Sequence, residues 1–446
     1  MSLLKSNSKT CIGPVRLFLS QSVTNYNCKQ FGSFKNYSRH NKYTDNCHFP
    51  SPILDESYLC DQKNKEEIKR NIIRRKGVGD IEKVLQLHGE LSAKSDNESF
   101  IRDSLMKEML KIPNRTHPDI LNYGDMPNIV KSIGDKKSFN FKPKEFHIIT
   151  KQLNVLKNDT SNFTGHRSYF FSGQLAELES ALIKYFMSKL LHIGFQAVSV
   201  PDILERSIIE SCGMETQGIR SQVYSLSPKH YESDKCLSGT AEMALAAYLM
   251  NKELSEDELP LRLAAVSRCF RAETSRTADE RGIYRVHQFT KVEMFGVSEP
   301  EKSSELLEEF REFEEEQFAS LGLHLRVLDM PPHELGAQAF RKYDVEAWLP
   351  GRQIWAELSS CSDCTDYQSR RLAIRCGDRH LHTVNGTACA VPRLVIALFE
   401  THQQSDGSVL IPPPLQPFMG NATVISRDST KHIPRLRPIK RLTQKS

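Results

Sequence analysis

The chain has 446 residues, 39% of them hydrophobic, and a formal net charge of +5. That length allows two or three units at ~150 residues each. The modest charge argues against a purely electrostatic nucleic-acid coat and leaves room for a local basic surface. No run approaches the ~18 to 20 apolar residues needed to cross a bilayer, so no membrane partner is expected. The eleven cysteines are scattered, which reads as reduced thiols rather than a disulfide scaffold.

Residues 1–50 form a leader. Lys5, Lys9, Arg16, Lys29, Lys35, Arg39 and Lys42 precede the first acidic residue, Asp45, in a stretch rich in Ser and Asn with a short apolar patch from Val15 to Leu19. A basic, acid-free leader has the composition of a mitochondrial transit peptide, which implies the mitochondrial matrix. The second unit, 51–115, begins with a polar, lysine-rich stretch to Gly77 and Gly79. From Asp80, a credible N-cap, the apolar residues Ile81, Val84, Leu85 and Leu87 recur at helical spacing, and Phe100, Ile101, Leu105 and Met109 repeat the pattern. Two such helices make a short antiparallel hairpin; at ~1.5 Å per residue, about fourteen residues reach only ~20 Å.

The main unit spans 116–420. Leu175, Leu178, Leu182 and Phe186 mark a long helix closed by Gly194, and Phe195 to Val200 reads as a strand stopped by Pro201. Further β-rich pieces are expected at 261–266, 284–294, 323–328, 343–348 and 353–358, a helix with a solvated acidic face at 301–321, and an apolar helix at 388–399. Strands in hairpin order with helices between groups predict an antiparallel α+β domain rather than a parallel doubly wound one. Neither G-x-G-x-x-G after a strand nor G-x-x-x-x-G-K-[ST] occurs. Residues 421–446 are expected to form a basic, flexible tail.

The chemistry-bearing residues concentrate in a few places. Arg271, Glu273 and Glu293 lie in one stretch, and NGTACAVPR supplies Arg393 much later. Two arginines far apart in sequence, with carboxylates between them, suit a triphosphate beside a small zwitterion, the arrangement of an enzyme that activates an amino acid with ATP. Attack of a carboxylate on an α-phosphate needs positioning and charge neutralisation more than covalent help. Arg271 can bridge the carboxylate and the α-phosphate, and Arg393 can meet the outer phosphates. Glu357 and Ser360 in AELSS offer the hard oxygen ligands that Mg²⁺ prefers, and Phe289 offers a face for adenine. Glu242, Glu293, Thr240 and Thr387 suit a small hydroxylated amino acid, because an apolar one would leave these groups unpaired. The plainer readings are surface salt bridges, a core helix at 388–399, and Thr240 as the cap of the helix TAEMALAAYL. Cys361 and Cys364 form a C-x-x-C pair without a second pair or histidines at zinc-ligand spacing, so free cysteines beside a strand are expected.

These segments resemble class II aminoacyl-tRNA synthetases. TGHRSYFFSGQLAELESALIKYF with GFQAVSVPDIL is similar to their first motif, a dimer-interface helix and strand. RCFRAE with RGIYRVHQFTKVEMF is similar to motif 2, and NGTACAVPRLVIALFE to motif 3. GTAEMALAAYL, AELSSCSDCTDYQSRR and QPFMG resemble seryl-tRNA synthetases, in their animal mitochondrial form, over roughly residues 110–420. The resemblance implies serine binding by Thr240, Ala241, Glu242, Glu293 and Thr387. It implies ATP binding by Arg271, Ala272, Glu273, Val286, His287, Gln288, Phe289, Glu357, Leu358, Ser359, Ser360 and Arg393, with Arg271, Glu357 and Arg393 catalytic and Mg²⁺ on Glu357 and Ser360. The loop 274–280 would face ATP and the acceptor end of tRNA. Serine and ATP would give seryl-adenylate and pyrophosphate, and the terminal adenosine of mitochondrial tRNA(Ser) would then take the seryl group. Threonyl and prolyl relatives carry a C-terminal anticodon-binding domain for which too little chain follows Arg393.

One departure from the family concerns the arm. Seryl enzymes grip tRNA with a long helical arm, whereas the matching region here, 80–111, is short. The partners expected are therefore tRNA(Ser) and a second subunit, in a homodimer or in a heterodimer with a synthetase-like paralogue that supplies the reach. The rival function is a non-catalytic paralogue acting in RNA binding or as a dimer partner, which should have lost the phosphate arginines or the Mg²⁺ ligands. A ligase that uses no tRNA is a third reading.

Overall fold

The computed structural model describes residues 49–92, 97–157, 165, 167–218, 221–231, 233–273 and 282–434. The expected leader up to residue 48, the loop 274–280 and the end beyond 434 lie outside the described residues. Among the described residues no helix is long and apolar enough to cross a membrane.

Near the N-terminus, helices α1 (Lys65–Arg74), α2 (Ile81–Ser92) and α3 (Glu98–Leu110) share a core of their own. Val84 and Leu85 of α2 and Leu105 and Met109 of α3 meet at the spacing read from the sequence, and Ile68 and Ile72 of α1 close the cluster. Helix α1 was not expected. Its charged run KEEIKRNIIR hides two buried isoleucines four residues apart, which is one helical face.

The main unit is built on eight strands: β1 (Asn128–Ile133), β2 (Gln196–Ala197), β3 (Leu261–Phe270), β4 (Gln288–Ser298), β5 (Leu325–Asp329), β6 (Arg341–Leu349), β7 (Ile354–Thr365) and β8 (His382–Ala390). They form one sheet in the order β1-β5-β6-β7-β8-β4-β3-β2, antiparallel throughout except for the parallel β2–β3 pair. The helices of this unit include α4 (Phe146–Leu153), α5 (Gln174–His192), α6 (Ala241–Tyr248), α7 (Ser303–Ser320), α8 (Tyr367–Leu372) and α9 (Val391–His402). Helices α5, α7 and α9 bury Leu178, Phe186, Phe310, Phe318 and Phe399 in a single core with the central strands. At ~1.5–3 kcal/mol for each large apolar side chain taken from water, this core is what holds the sheet against its helices.

Three differences from the sequence reading have physical causes. The helix expected at 388–399 begins at Val391, because residues 382–390 pair with β4 and β7 as strand β8. Small residues such as Gly386 and Ala388 give that strand no apolar alternation to read. The strand expected at 284–294 starts only at Gln288, after a turn from 282 to 286. Of the expected tail, Val424–Ile425 pairs with Val409–Leu410, Arg427–Thr430 forms a helical turn, and Ile433 packs on the core. Cys361 and Cys364 are buried free thiols on β7.

Candidate active site

The candidate site lies where β3, β4, β7 and β8 run side by side. Arg271 directly follows β3, and its backbone N–H donates to the His287 carbonyl over 2.9 Å. The His287 imidazole returns a bond from Nδ1 to the Arg271 carbonyl, also 2.9 Å. This double link fixes the arginine at the start of a narrow cleft lined by Arg271, Glu273, Tyr284, Phe289, Pro392 and Arg393, among others. The two arginines singled out in the sequence thus open into one cavity. The Arg271 guanidinium lies 5.4 Å over the Phe289 ring and that of Arg393 lies 4.8 Å over the Tyr284 ring. Each cation therefore keeps an aromatic face behind it. Pro392 precedes Arg393 in the first turn of α9, where its missing N–H costs the helix nothing.

Arg393 donates from Nη1 to Glu357 Oε1 at 2.7 Å. Burial by itself would push the Glu357 carboxyl up, but the nearby Arg393, Lys342 and Arg271 charges more than offset that and hold it at about 2. Glu357 is therefore an anion at every physiological pH. A β-bulge shapes its surroundings. Val345 pairs with Ser359 while the next residue, Glu346, pairs with Glu357, so Leu358 is the extra residue of β7. Residues three apart on a regular strand point to opposite faces. The bulge puts Glu357 and Ser360 on the same face, and turns Ser359 to the other.

A second group of residues continues from the Arg271 end. Arg271 Nε donates to the Gly239 carbonyl at 3.4 Å. Thr240 occupies the N-cap position of α6, yet its side chain does not cap the helix. Its hydroxyl donates instead to Glu293 Oε2 at 2.9 Å, which disposes of the reading of Thr240 as a simple cap. Lys291, buried on the same strand face as Glu293, forms an ion pair with Glu293 Oε2 and donates to Thr387 Oγ1 at 3.3 Å. Glu242 accepts from Gln368 Nε2 at 2.6 Å and from Asn385 Nδ2 at 2.9 Å. Burial, together with the negative charge of Glu293, raises its carboxyl to about 7 despite those donors.

The remaining expected residues sit around these two centres. Ala241 is buried as the first residue of α6, and the Ala272 N–H donates to the Gln222 carbonyl at 2.8 Å. Glu273 is buried between Gln222 Nε2 at 3.1 Å and Arg285 at 3.5 Å. Val286 is buried at the cleft wall. Gln288 is exposed at the start of β4, and Leu358 belongs to the apolar core, so neither presents its side chain to the cleft.

Comparison with known proteins follows the same geometry. Residues 224–402 match the family model described as "tRNA synthetase class II core domain (G, H, P, S and T)". The chain is 44% identical to the mitochondrial serine-tRNA ligase of Bos taurus over 359 residues, which is 78% of this chain and 68% of that one. The Mus musculus counterpart is 43% identical with the same coverage. Among solved structures, the seryl-tRNA synthetase of Pyrococcus horikoshii complexed with ATP superposes with a TM-score of 0.76 at 26% identity, covering 84% of this chain and 99% of that one. The chain belongs to the serine-tRNA ligase family.

It is a mitochondrial serine-tRNA ligase by these relationships, with the α+β class II core, and Arg271, Glu273, Glu357, Ser360 and Arg393, some of which a non-catalytic paralogue would be expected to have lost, are present. Several residues of the ligase site escaped the sequence reading. Lys291 stands two positions before Glu293 on one strand, and Asn385 two before Thr387; the period-2 rule would have put each pair on one face. Gln368 on α8, Tyr284 and Lys342 reach the site only through the tertiary fold, and no local signal marks them.

Proposed function

We propose that the cleft between Arg271 and Arg393 holds ATP and that the pocket of Thr240, Glu242, Glu293, Lys291 and Thr387 holds serine. The observation that carries this reading is that the two arginines line one cavity, with Arg271 reaching the Gly239 carbonyl beside Thr240. Arg271 then stands between the two substrates. Its planar donor set suits a carboxylate on one side and an α-phosphate on the other. The serine carboxylate oxygen attacks the α-phosphorus, the bond from that phosphorus to the bridging oxygen of the β-phosphate breaks, and pyrophosphate leaves. Arg393 neutralises the outer phosphates, and the Phe289 face packs on adenine. The serine ammonium meets Glu242 and Glu293, and its hydroxyl exchanges hydrogen bonds with Thr240 and Thr387. Threonine or alanine would leave these groups crowded or unpaired.

The Glu357 carboxylate and the Ser360 hydroxyl fit Mg²⁺: both are hard oxygen donors on one strand face, and the carboxylate is held ionised. Bound there, Mg²⁺ would neutralise phosphate charge. The aminoacyl acceptor is the terminal adenosine of tRNA(Ser), which takes the seryl group from the seryl-adenylate. The working ligase is a dimer joined through α5 and the segment after it, where Leu191, Ile193 and Ile203 are exposed apolar residues. Serine-dependent exchange of pyrophosphate into ATP tests the site. It should be strong with serine, weak with alanine or threonine, and lost in Arg271→Ala; equal exchange with all three amino acids would overturn the pocket.

A further inference from the structure

Beneath the serine pocket, on the opposite face of the sheet, lies an acid that the reaction does not use. Glu314 on α7 is fully buried and neither of its carboxyl oxygens has a hydrogen-bond partner. It faces Ser359 and Cys361 of β7, and the Ser359 hydroxyl is itself buried and without a partner. On β8, a Cβ added to Gly386 would stand 3.2 Å from Glu314 Oε1 and 2.9 Å from the Met294 methyl, so the strand has no side chain between the acid and the sheet. The charged and titratable groups around it are Glu293 of β4, Asp344 of β6 and Cys361 of β7, with Arg311 and Glu315 on its own helix, where they pair with each other. Glu293 and Asp344 both oppose ionisation of Glu314.

A carboxylate left unpaired at such a place is strongly disfavoured, and a neutral acid is the form that burial selects. We propose that Glu314 is a positioning residue that stands under the serine pocket as a neutral carboxylic acid, offering its proton to Ser359 on β7. It thereby keeps negative charge away from the underside of Glu293. The bulge at Leu358 gives this contact its effect. It turns Ser359 towards α7 while Glu357 and Ser360 face the substrates, so a shift of Ser359 moves both of them. Burial, aided by the Asp344 and Glu293 charges and only partly offset by Ser359 and Cys361, pushes the Glu314 carboxyl well above its ordinary value. Ionisation at alkaline pH would put a second anion across the sheet from Glu293 and remove the donor for Ser359.

The inference rests on the assignment of Glu293 to serine, and the test separates the two. The full chain carrying Glu314→Gln keeps a neutral donor of the same shape, whereas Glu314→Leu keeps neither donor nor acceptor. The KM for serine in pyrophosphate exchange at neutral pH should stay within about threefold of wild type for the glutamine variant and rise by about tenfold or more for leucine. The alkaline fall of kcat/KM should move up by about one pH unit or more in the glutamine variant. Thermal melts supply a readout independent of substrate. A carboxyl raised on folding costs stability as pH climbs above its unfolded value, so the melting gap between Glu314→Gln and wild type should widen from about pH 5 upward. A constant gap, or superimposable pH profiles, would overturn the proposal. Should Glu293→Ala retain serine-dependent exchange, the serine assignment fails while the melting result still judges Glu314.

Discussion

Arg393 and Glu357 hold each other at 2.7 Å, so in the proposed site each is pre-positioned for the phosphates at little reorganisation cost. Arg393→Ala should therefore lower the rate of adenylate formation by about 10²- to 10³-fold, read by single-turnover kinetics. Thr240 is a subtler case, because its hydroxyl donates to a buried carboxylate. A bond of that kind is worth about 1.5–3 kcal/mol, so Thr240→Val should reduce kcat/KM for serine by roughly 10- to 100-fold. Glu242 gives the site a pH dependence of known sign. Its carboxyl, raised to about 7 by burial and by Glu293, is protonated below that pH and ionised above it. As the proposed partner of the serine ammonium it must be ionised, so kcat/KM for serine should climb from pH 6 towards 8, and Glu242→Gln should flatten the climb at a low level. These residues were legible as chemistry in the sequence, because RAE, KVE, ELSS and PR carry charges in strand- and helix-ending contexts. Their partners were not, since Gln368, Asn385 and Tyr284 meet the site from distant segments.

Among the elements, the long strands with β-branched and aromatic alternation and the amphipathic helices α5 and α7 could be read from periodicity. Strand β8 could not, because Asn385, Gly386, Thr387 and Ala388 offer neither branching nor alternation, and its place in the sheet is set by its neighbours β4 and β7. The smallness that hides it is required by packing. Alanine at Gly386 would meet Met294 and Glu314 at 2.9 and 3.2 Å, and Gly386→Ala should cost about 1–3 kcal/mol in denaturant unfolding. The bulge at Leu358 was equally hidden, although the shared face of Glu357 and Ser360 depends on it. Helix α1 was missed for the opposite reason: its charges are conspicuous and its two buried isoleucines are few. Its cluster is separate from the main core, so Leu105→Ala, which removes about 2–5 kcal/mol of packing, should speed hydrogen exchange in α1–α3 while leaving β3–β8 protected.

For the whole molecule, the eight-stranded sheet brings two sequence-distant arginines to one cleft and seats a polar pocket next to it, and the N-terminal helices remain too short to form a long arm. The antiparallel α+β class could be read before the fold was known, because turn residues and apolar periods punctuate the chain regularly, and the order of the motif segments could be read from their resemblance to class II synthetases. How tRNA is gripped could not, since that depends on surfaces that only the tertiary fold assembles. The central claim is that one continuous pocket takes the whole adenylate. A crystal structure of the ligase with a non-hydrolysable seryl-adenylate analogue tests it most directly. The seryl ammonium should lie at Glu242 and Glu293, the phosphate-like group at Arg271, and the adenine on Phe289. An analogue bound elsewhere, with Arg271 and Arg393 both untouched, would contradict it.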